Sequence, residues 1–515
     1  MAGQVLMIQG TASHVGKSVL VSAFCRIFRQ DGFRVAPFKA QNMSNNSYVT
    51  ADGGEIGRAQ AVQADAAGVE ARVEMNPVLL KPEADHISQV VVMGRPMLSA
   101  NVRDYVNLKP KLWEAVHTSL DKLRDDFDLV IAEGAGSPAE INLKATEIVN
   151  MRVARYANAP VFLCGDIDRG GVFASLVGTL QLLEPEERET IKGLIINKFR
   201  GDPSLLTDGI TWLEEYTGIP VAGLIHHYRD IHIPEEDSVA LEGSSRVTAQ
   251  AVLDVAVLQL PHIANFDDFD PLSRHPGVGL RYVDSAAELG RPDLVIIPGT
   301  KTTIPDLAWM NERGLSEAVK TLHANGVAVI GICGGYQMLG TKLSDPDHIE
   351  SSITELDGLG LLPLSTVFEG SKETHRISGT VIEATGLLAG ASGMPVRGYE
   401  IHMGRTVGEG VAPPFRIDDR ADVPVTDADS MEGALDPTGS VLGTYIHGLF
   451  QNVGLTGAIL RELARRKGVS LPAVTSELDL DREYDKLADW VRSSIDMDLV
   501  YRVTGLSRDY DAAKA

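Results

Sequence analysis

Apolar residues in the first half of the chain occur in short runs that alternate with segments of helical periodicity. Nearly all-apolar runs at residues 5–8, 34–38, 128–132, 160–163, 194–196 and 221–225 are candidate strands. Such continuous runs are typical of parallel strands, because helices cover both faces of a parallel sheet. Between the first two runs, apolar side chains recur with helical spacing at residues 19–28, which predicts an amphipathic helix. The alternation predicts a doubly wound α/β domain.

The same alternation restarts after a polar, acidic stretch at residues 236–250, which we interpret as a linker. It separates a first domain, residues 1–235, from a second α/β domain, residues 251–455. The candidate strands of the second domain lie at residues 254–260, 280–283, 294–297, 327–330 and 441–445. Residues 407–439 are rich in Pro, Asp and Gly, which predicts a long surface excursion. Residues 456–515 are charged and predict a helical tail.

Size and charge narrow the class of protein. The chain has 515 residues, 44% of them hydrophobic and 23% charged, as expected for a globular protein of roughly two to four domains. A net charge of −23 argues against binding to nucleic acid or to an anionic membrane, since both require a basic face. The sequence shows neither a membrane-spanning run nor a signal-peptide pattern, and it has only three cysteines. We therefore expect a cytoplasmic protein.

The segment GTASHVGKS, at residues 10–18, follows the first predicted strand and opens the first predicted helix. Backbone N–H groups of such a turn and helix N-terminus point at bound phosphates. The expected nucleotide contacts are Gly10, Thr11, Gly16 and Lys17. Lys17 supplies charge to the outer phosphates, and the hydroxyl of Ser18 is a ligand for Mg²⁺. The alternative is a glycine-rich turn with a surface lysine.

Two other strand ends carry residues suited to the same site. Glu133, in IAEGAGS, follows the strand at residues 128–132 and is placed to bind Mg²⁺ beside the phosphates. A helix-capping acid is the alternative interpretation of Glu133. Asn197 follows the strand at residues 194–196, where its amide would contact the adenine ring, unless it is an ordinary turn residue. ATP and Mg²⁺ are the expected cofactors.

The segment GICGGYQ places Cys333 in a G-x-C-x-G turn between a predicted strand and a helix. This is the layout of a nucleophile elbow, in which the helix N-terminus favours thiolate and backbone N–H groups hold an oxyanion. His447 follows the last predicted strand and is the expected base. The glycine turn at residues 296–301 would complete the oxyanion hole. A buried structural cysteine is the alternative, and it is our interpretation of Cys25 and Cys164.

Both halves resemble known families. The loop at residues 10–18 resembles that of the dethiobiotin synthetase-like ATPases, and the second half resembles the class I glutamine amidotransferase domain. The resemblance implies that Cys333 and His447 are nucleophile and base of a glutaminase. Many class I members carry a Glu two residues after the His, where this sequence has Leu449. Glu400, in GYEIHMG, is then a candidate third member, unless that segment lines the substrate site.

Longer motifs make the resemblance more specific. Residues 37–82, GDIDRGGVFAS at residues 165–175 and GYEIHMGRT at residues 398–406 resemble the cobyric acid synthase family. The resemblance covers residues 4–455. It implies ATP-, Mg²⁺- and glutamine-dependent amidation of the b, d, e and g carboxylates of adenosylcobyrinic acid a,c-diamide. Lys39 matches a lysine that lies near the phosphates in the dethiobiotin synthetase-like enzymes. Asp52, Glu55 and Asp168 are candidates to help Ser18 and Glu133 hold Mg²⁺, unless they are exposed loop residues.

The expected partners are therefore small molecules: a polycarboxylate corrinoid, glutamine and ATP. A polycarboxylate requires cations and amides near the phosphates, and the sequence offers Lys39, Asn42, Asn45, Asn46, Arg58, Gln60, Lys81 and Arg169. Another amidotransferase of the same build, such as cobyrinic acid a,c-diamide synthase or a cell-wall amidating enzyme, is one alternative. A P-loop switch protein with a catalytically inactive second domain is another. The tail either packs on the second domain or mediates formation of a homo-oligomer.

Overall fold

The computed structural model describes residues 2–84, 86–228, 231–234, 251–421, 423–426, 430–472 and 479–507. The linker predicted at residues 236–250 lies outside these ranges. The strands of the first half are β1 (Gln4–Gly10), β2 (Val35–Phe38), β3 (Gln41–Met43), β4 (Ser47–Val49), β5 (Glu55–Gly57), β6 (Val78–Ala84), β7 (Ile87–Val92), β8 (Arg95–Asn101), β9 (Leu129–Glu133), β10 (Val161–Asp166), β11 (Ile191–Phe199) and β12 (Val221–His226).

A six-stranded parallel sheet organises the first domain, in the order β12-β11-β10-β1-β9-β2. It contains all six strands that the apolar runs predict, which confirms the doubly wound fold. The small sheet β3-β6-β7-β8 and the β4–β5 pair were not predicted. Their strands are short or mix polar with apolar residues, so they lack the continuous apolar signal of a parallel strand.

Helices cover both faces of this sheet, which separates two hydrophobic clusters. The helices are α1 (Lys17–Gln30), α2 (Arg58–Ala67), α3 (Val102–Asp126), α4 (Met151–Ala157), α5 (Val172–Leu182), α6 (Pro185–Arg188) and α7 (Thr207–Thr217). Helix α1 buries Leu20, Phe24, Ile27 and Phe28, at the spacing expected of an amphipathic helix. In the described parts of the chain, no helix combines the length and apolar character needed to cross a bilayer.

The strands of the second half are β13 (Leu253–Leu258), β14 (Val278–Val283), β15 (Leu294–Ile297), β16 (Ala328–Ile332), β17 (Lys342–Ser344), β18 (Glu355–Asp357), β19 (Leu364–Val381), β20 (Pro395–Gly408), β21 (Phe415–Arg420), β22 (Val423–Pro424), β23 (Met431–Glu432), β24 (Ala434–Leu435) and β25 (Val441–Thr444). The main sheet has the order β14-β13-β15-β16-β25-β24. Its first five strands are parallel, and they are the five that the sequence predicts.

The prediction of a long surface excursion at residues 407–439 is partly wrong. Strands β21 and β23 lie within it and extend an antiparallel sheet built around the long β19–β20 pair. Phe415 and Ile417 are buried there, so this segment contributes to the core. The remaining helices are α8 (Asp270–Arg274), α9 (Ala286–Leu289), α10 (Thr303–Glu312), α11 (Leu315–Ala324), α12 (Gly334–Leu339), α13 (Val453–Lys467), α14 (Leu480–Arg492) and α15 (Met497–Thr504).

The C-terminal helices divide between the two domains. Helix α13 packs into the core of the second domain, so the expectation of packing there holds for that helix. Helices α14 and α15 instead return to the first domain, where Leu487 and Val500 share a buried cluster with Phe24 of α1. Arg26 of α1 also pairs with Asp485 of α14, with Nε 2.7 Å from Oδ1. The amphipathic face of α14 therefore completes the core of a domain that begins some 450 residues earlier in the chain.

Direct hydrogen bonds and an ion pair join the two domains. The backbone N–H of Ser47 donates to Oδ1 of Asn265 at 2.8 Å, and Phe266 N–H donates to Oδ1 of Asn46 at 3.3 Å. Lys301 of the second domain pairs with Glu83 of the first, with Nζ 2.7 Å from Oε1. The start of β4 thereby contacts the segment after β13, and β6 contacts the turn after β15.

We predict that Leu487→Ala lowers the free energy of unfolding by about 2–5 kcal/mol, because it opens a cavity between α14 and α1. The measurement is urea denaturation followed by circular dichroism. Leu480→Ala is the matched control: Leu480 lies on the same helix but is exposed, and its loss is expected to cost less than about 0.5 kcal/mol. Equal costs for the two changes would contradict the packing of α14 on the first domain.

Candidate active sites

The glycine-rich loop at residues 10–18 lies between β1 and α1, at the carboxyl edge of the parallel sheet. Gly16 caps α1 in a left-handed conformation, with φ of 98°, and a Cβ there would lie 2.3 Å from Nδ2 of Asn197. A Cβ on Gly10 would meet Val15 at 2.5 Å. Both positions therefore require glycine. Lys17 folds back over the loop and donates from Nζ to Ala12 O at 2.9 Å.

Glu133 ends β9 directly beside this loop and is fully buried. The hydroxyl of Ser18 donates to its Oε1 at 2.9 Å, and Nζ of Lys39 donates to the same oxygen at 2.8 Å. Gln63 of α2 donates from Nε2 to Oε2 at 2.6 Å. The structure thus brings Ser18, Lys39 and Glu133 together, as the sequence predicts, and adds Gln63.

The hydroxyl of Ser18 and the carboxylate of Glu133 are hard oxygen donors, so they fit a Mg²⁺ ion at the end of the loop. Asp52, the third predicted ligand, is placed differently. It is an exposed residue in a turn where Thr50 donates to its carboxylate and Arg95 donates to its backbone carbonyl. In the described chain, no group of three or more His, Cys, Asp and Glu side chains is arranged to hold a metal.

Asn197, at the end of β11, holds the loop rather than projecting away from it. Its Nδ2 donates to the carbonyl of Val15 at 2.8 Å, and its neighbour Lys198 donates from Nζ to the carbonyl of His14 at 2.6 Å. The side chain is buried against Gly16. An adenine contact by Asn197 stays a prediction.

Several of the residues expected to receive a polycarboxylate already have partners in the protein. Lys81 pairs with the buried Glu55, which also pairs with Lys372 of the second domain. Arg58 pairs with Asp267. These cations compensate buried acids at the domain boundary, because a buried charge without a partner is costly.

Cys333 sits in a sharp turn between β16 and α12, with φ of 53° and ψ of −111°. Small residues on both sides allow this turn: a Cβ on Gly335 would lie 2.0 Å from Ile297 O, and one on Gly331 would lie 2.6 Å from Gly335 O. A residue in this sparsely populated backbone region is a strained feature that occurs at functional sites. The sharp strand–turn–helix geometry predicted at Cys333 is therefore present, and its role as a nucleophile stays a prediction.

His447 and Cys333 line the same cavity; Nε2 of the imidazole lies 3.3 Å from Nδ2 of Asn265, and the thiol donates to the carbonyl of Ile401 at 3.3 Å. The other ring nitrogen of His447, Nδ1, lies 2.7 Å from Oδ2 of Asp268. Asp268 also accepts from the backbone N–H of Gly448 at 2.7 Å. The three residues form a Cys–His–Asp arrangement, in which the carboxylate orients the imidazole.

The third position therefore belongs to Asp268 and not to Glu400. Glu400 is buried on β20, but its carboxylate pairs with Arg420, with Nε 2.9 Å from Oε2. Leu449, at the position where many class I members carry the acid, is part of the hydrophobic core. Asp268 precedes His447 by 179 residues in the chain, so only folding brings the two side chains together.

The charge balance of this site favours a protonated imidazole. Burial disfavours the charged form of His447, but the carboxylate of Asp268 and the neighbouring Cys333 outweigh it and raise the pKa of the ring to about 10. Both His447 and Asp268 are buried, so little water screens their attraction. A charged imidazole beside the sulfur is placed to deliver a proton to a leaving group.

A cavity opens from Cys333 and His447 toward the domain boundary. Both domains contribute to its wall; the charged residues lining it are Lys81, Glu83, Lys301, Glu350 and Lys372. The first two lie on β6 of the first domain. The turn at residues 296–301 also faces this cavity, since a Cβ on Gly299 would lie 2.9 Å from Cε1 of His447.

No motif in the sequence predicted the positions of Asp268 and Gln63 in these sites. Asp268 lies in the segment NFDDFD, where three acids follow a predicted strand closely enough to have marked the carboxyl edge of the sheet. Gln63 carries no local signal, because an alanine-rich helix interior is an ordinary position for glutamine.

We predict that iodoacetamide modifies Cys333 at pH 8 at least about tenfold faster than the other two thiols. Cys333 lines the cavity, whereas Cys25 and Cys164 are fully buried. Burial raises the pKa of the Cys25 thiol and raises that of Cys164 to about 12. Peptide mapping by mass spectrometry measures the three rates.

Asp268→Asn is expected to slow modification of Cys333 by about tenfold, because the imidazole loses the carboxylate that orients it. Glu400→Gln, at a buried carboxylate paired with Arg420, is the matched control and should leave the rate within about twofold. The reverse ranking of the two variants would contradict the assignment of Asp268.

Two family models match the chain, one for each domain. The nucleotide-binding domain described as CobQ/CobB/MinD/ParA matches residues 6–239. The CobB/CobQ-like glutamine amidotransferase domain matches residues 254–454. Among solved structures, PurLQS from Thermotoga maritima overlaps 41% of this chain at a TM-score of 0.32 and 21% identity, too little to carry an argument.

Curated relatives cover nearly the whole length. Cobyric acid synthase from Dehalococcoides mccartyi strain CBDB1 is 52% identical over 500 residues, which is 97% of this chain and 98% of the relative. Cobyric acid synthase from Pelotomaculum thermopropionicum is 51% identical over 512 residues, covering 98% of this chain and 97% of the relative. With a nucleotide loop, a glutamine amidotransferase domain and this extent of identity, the chain belongs to the cobyric acid synthase family of glutamine-dependent amidoligases.

Proposed function

We propose that this protein amidates the b, d, e and g carboxylates of adenosylcobyrinic acid a,c-diamide, using ATP and glutamine, to give adenosylcobyric acid. The family supports amidation in cobalamin biosynthesis, with glutamine as nitrogen donor. We place the reaction in the cytoplasm, where the three free cysteines stay reduced.

The observation that carries the proposal is the Cys333–His447–Asp268 arrangement in a cavity that both domains line. A glutaminase site that opens toward the nucleotide-binding domain suits a reaction in which nitrogen is released in one domain and used in the other. The lysines and glutamates of the cavity suit the carboxylate and ammonium groups of free glutamine.

In the second domain, the Cys333 thiolate attacks the side-chain amide carbon of glutamine. The tetrahedral oxyanion is held by backbone N–H groups of the elbow and of the turn at Gly299. His447 protonates the departing nitrogen, which leaves as ammonia, and a glutamyl thioester remains on Cys333. His447 then removes a proton from water, which hydrolyses the thioester and releases glutamate.

In the first domain, Lys17 and the loop N–H groups hold the phosphates, and Lys39 lies beside them, donating to the same oxygen of Glu133 as Ser18 does. ATP supplies the γ-phosphoryl group that turns a carboxylate into an acyl phosphate, which ammonia attacks with loss of phosphate. Ser18 and Glu133 would hold Mg²⁺. When bound, the ion would neutralise part of the phosphate charge. Asn197 is proposed to contact adenine.

The test is incubation of the purified protein with ATP, Mg²⁺, glutamine labelled with ¹⁵N in its amide group, and adenosylcobyrinic acid a,c-diamide. We expect four labelled amides in the corrinoid product, counted by mass spectrometry. A second incubation uses a corrinoid without amides as the substrate. Labelling of only its a and c positions, with none of the a,c-diamide, would overturn the assignment. ATP hydrolysis without any glutamine hydrolysis would instead indicate a switch protein with an inactive second domain.

We predict that Cys333→Ala lowers glutamine-dependent amidation by at least about 10³-fold, because the variant lacks the nucleophile. Amidation with a high concentration of ammonium chloride at pH 8.5 should persist, since free ammonia bypasses the second domain. Product is quantified by chromatography under both conditions.

Lys17→Met provides the complementary control. It should abolish amidation with either nitrogen source, because Lys17 belongs to the nucleotide loop, while glutamine hydrolysis by Cys333 continues. If Cys333→Ala also lost ammonia-dependent amidation, the division of labour between the domains would be refuted.

A further inference from the structure

Arg58, the first residue of α2, extends from the first domain into the second. Its Nε lies 2.9 Å from Oδ2 of Asp267, and the two side chains are 11% and 3% exposed. The guanidinium also lies over the ring of Tyr48, 5.4 Å from its centroid. A buried ion pair therefore crosses the domain boundary at this point.

Asp267 is the immediate neighbour of Asp268, the carboxylate that holds His447. Both acids are buried, so their negative charges repel each other with little screening by water. Within the described residues, neither carboxylate oxygen of Asp267 has a hydrogen-bond partner. The charge of Asp267 is thus compensated mainly by Arg58, just as that of Asp268 is compensated by His447.

Aromatic rings connect the same guanidinium to His447 by a second route. The ring of Tyr48 lies 6.3 Å from that of Tyr399, and Tyr399 stacks on the imidazole at 5.2 Å with an interplanar angle of 17°. The backbones of Tyr399 and His447 are also hydrogen-bonded to each other. Arg58 therefore contacts both the acid beside Asp268 and the aromatic wall that packs on the base.

Loss of Arg58 would leave the charge of Asp267 buried without a partner. Such a charge is relieved when the carboxylate takes up a proton or moves toward water. Movement toward water displaces the short segment that carries Asp268, and protonation changes the charge that faces Asp268. The base would then lose its orientation, although no atom of Arg58 touches the reacting groups.

We propose that Arg58 of the first domain is a positioning residue for glutamine hydrolysis in the second domain, acting through Asp267 on the Asp268–His447 pair. The proposal rests on the glutaminase function proposed above for Cys333. It means that the glutaminase site is complete only when the first domain supplies this charge.

The experiment measures kcat and KM of glutamine hydrolysis in the full-length protein for four variants: Arg58→Met, Arg58→Lys, Asp267→Asn and the double variant Arg58→Met/Asp267→Asn. Arg58→Met should lower kcat about 10- to 100-fold and change KM less than about threefold. Arg58→Lys should recover most of kcat, since it restores the charge. The double variant should recover to within about fivefold of the wild type, because no unpaired charge remains.

A role in packing alone gives a different outcome, since the double variant would then be no better than Arg58→Met. That result, or an unchanged kcat in Arg58→Met, would overturn the inference. Ammonia-dependent amidation, measured in parallel, shows that each variant retains a folded first domain. A wild-type protein that fails to hydrolyse glutamine would overturn the proposed function, and this inference with it.

Discussion

Charged side chains buried at the domain boundary constrain how the two domains pack, because each buried charge requires an opposite charge beside it. Asp268 is paired with His447 within the second domain, whereas Asp267 and Glu55 are paired across the boundary. Removing a carboxylate from water costs several kcal/mol unless such a partner is held in place. The two parallel sheets are therefore joined at a surface whose electrostatics depends on both domains, and Cys333, His447 and Asp268 lie next to it.

Both sites use the same property of parallel sheets. Strands that run in one direction end at a common edge, so residues distant in the chain meet there. The ends of β1 and β9 bring the nucleotide loop to Glu133, and the ends of β16 and β25 bring Cys333 to His447. Helix α2 contacts both, since Gln63 reaches Glu133 and Arg58 reaches the acid beside Asp268. Helix α2 therefore connects the two candidate sites directly.

The end of the chain contributes to the first domain rather than to the second. Helix α14 has a strongly amphipathic pattern, and its apolar face is buried against α1 while its acids pair with Arg26. The chain therefore passes from the first domain to the second and back.

The sequence by itself determined the two doubly wound sheets, the nucleotide loop and the cysteine elbow, because each follows from a local pattern: an apolar run, a glycine turn, a nucleophile between strand and helix. Only the tertiary structure decided that Asp268 orients His447, that Arg58 pairs with Asp267 rather than with a substrate, and that α14 packs on α1. These contacts join residues far apart in the chain. Their partners are chosen by which faces and strand ends meet after folding, and no local spacing encodes that choice.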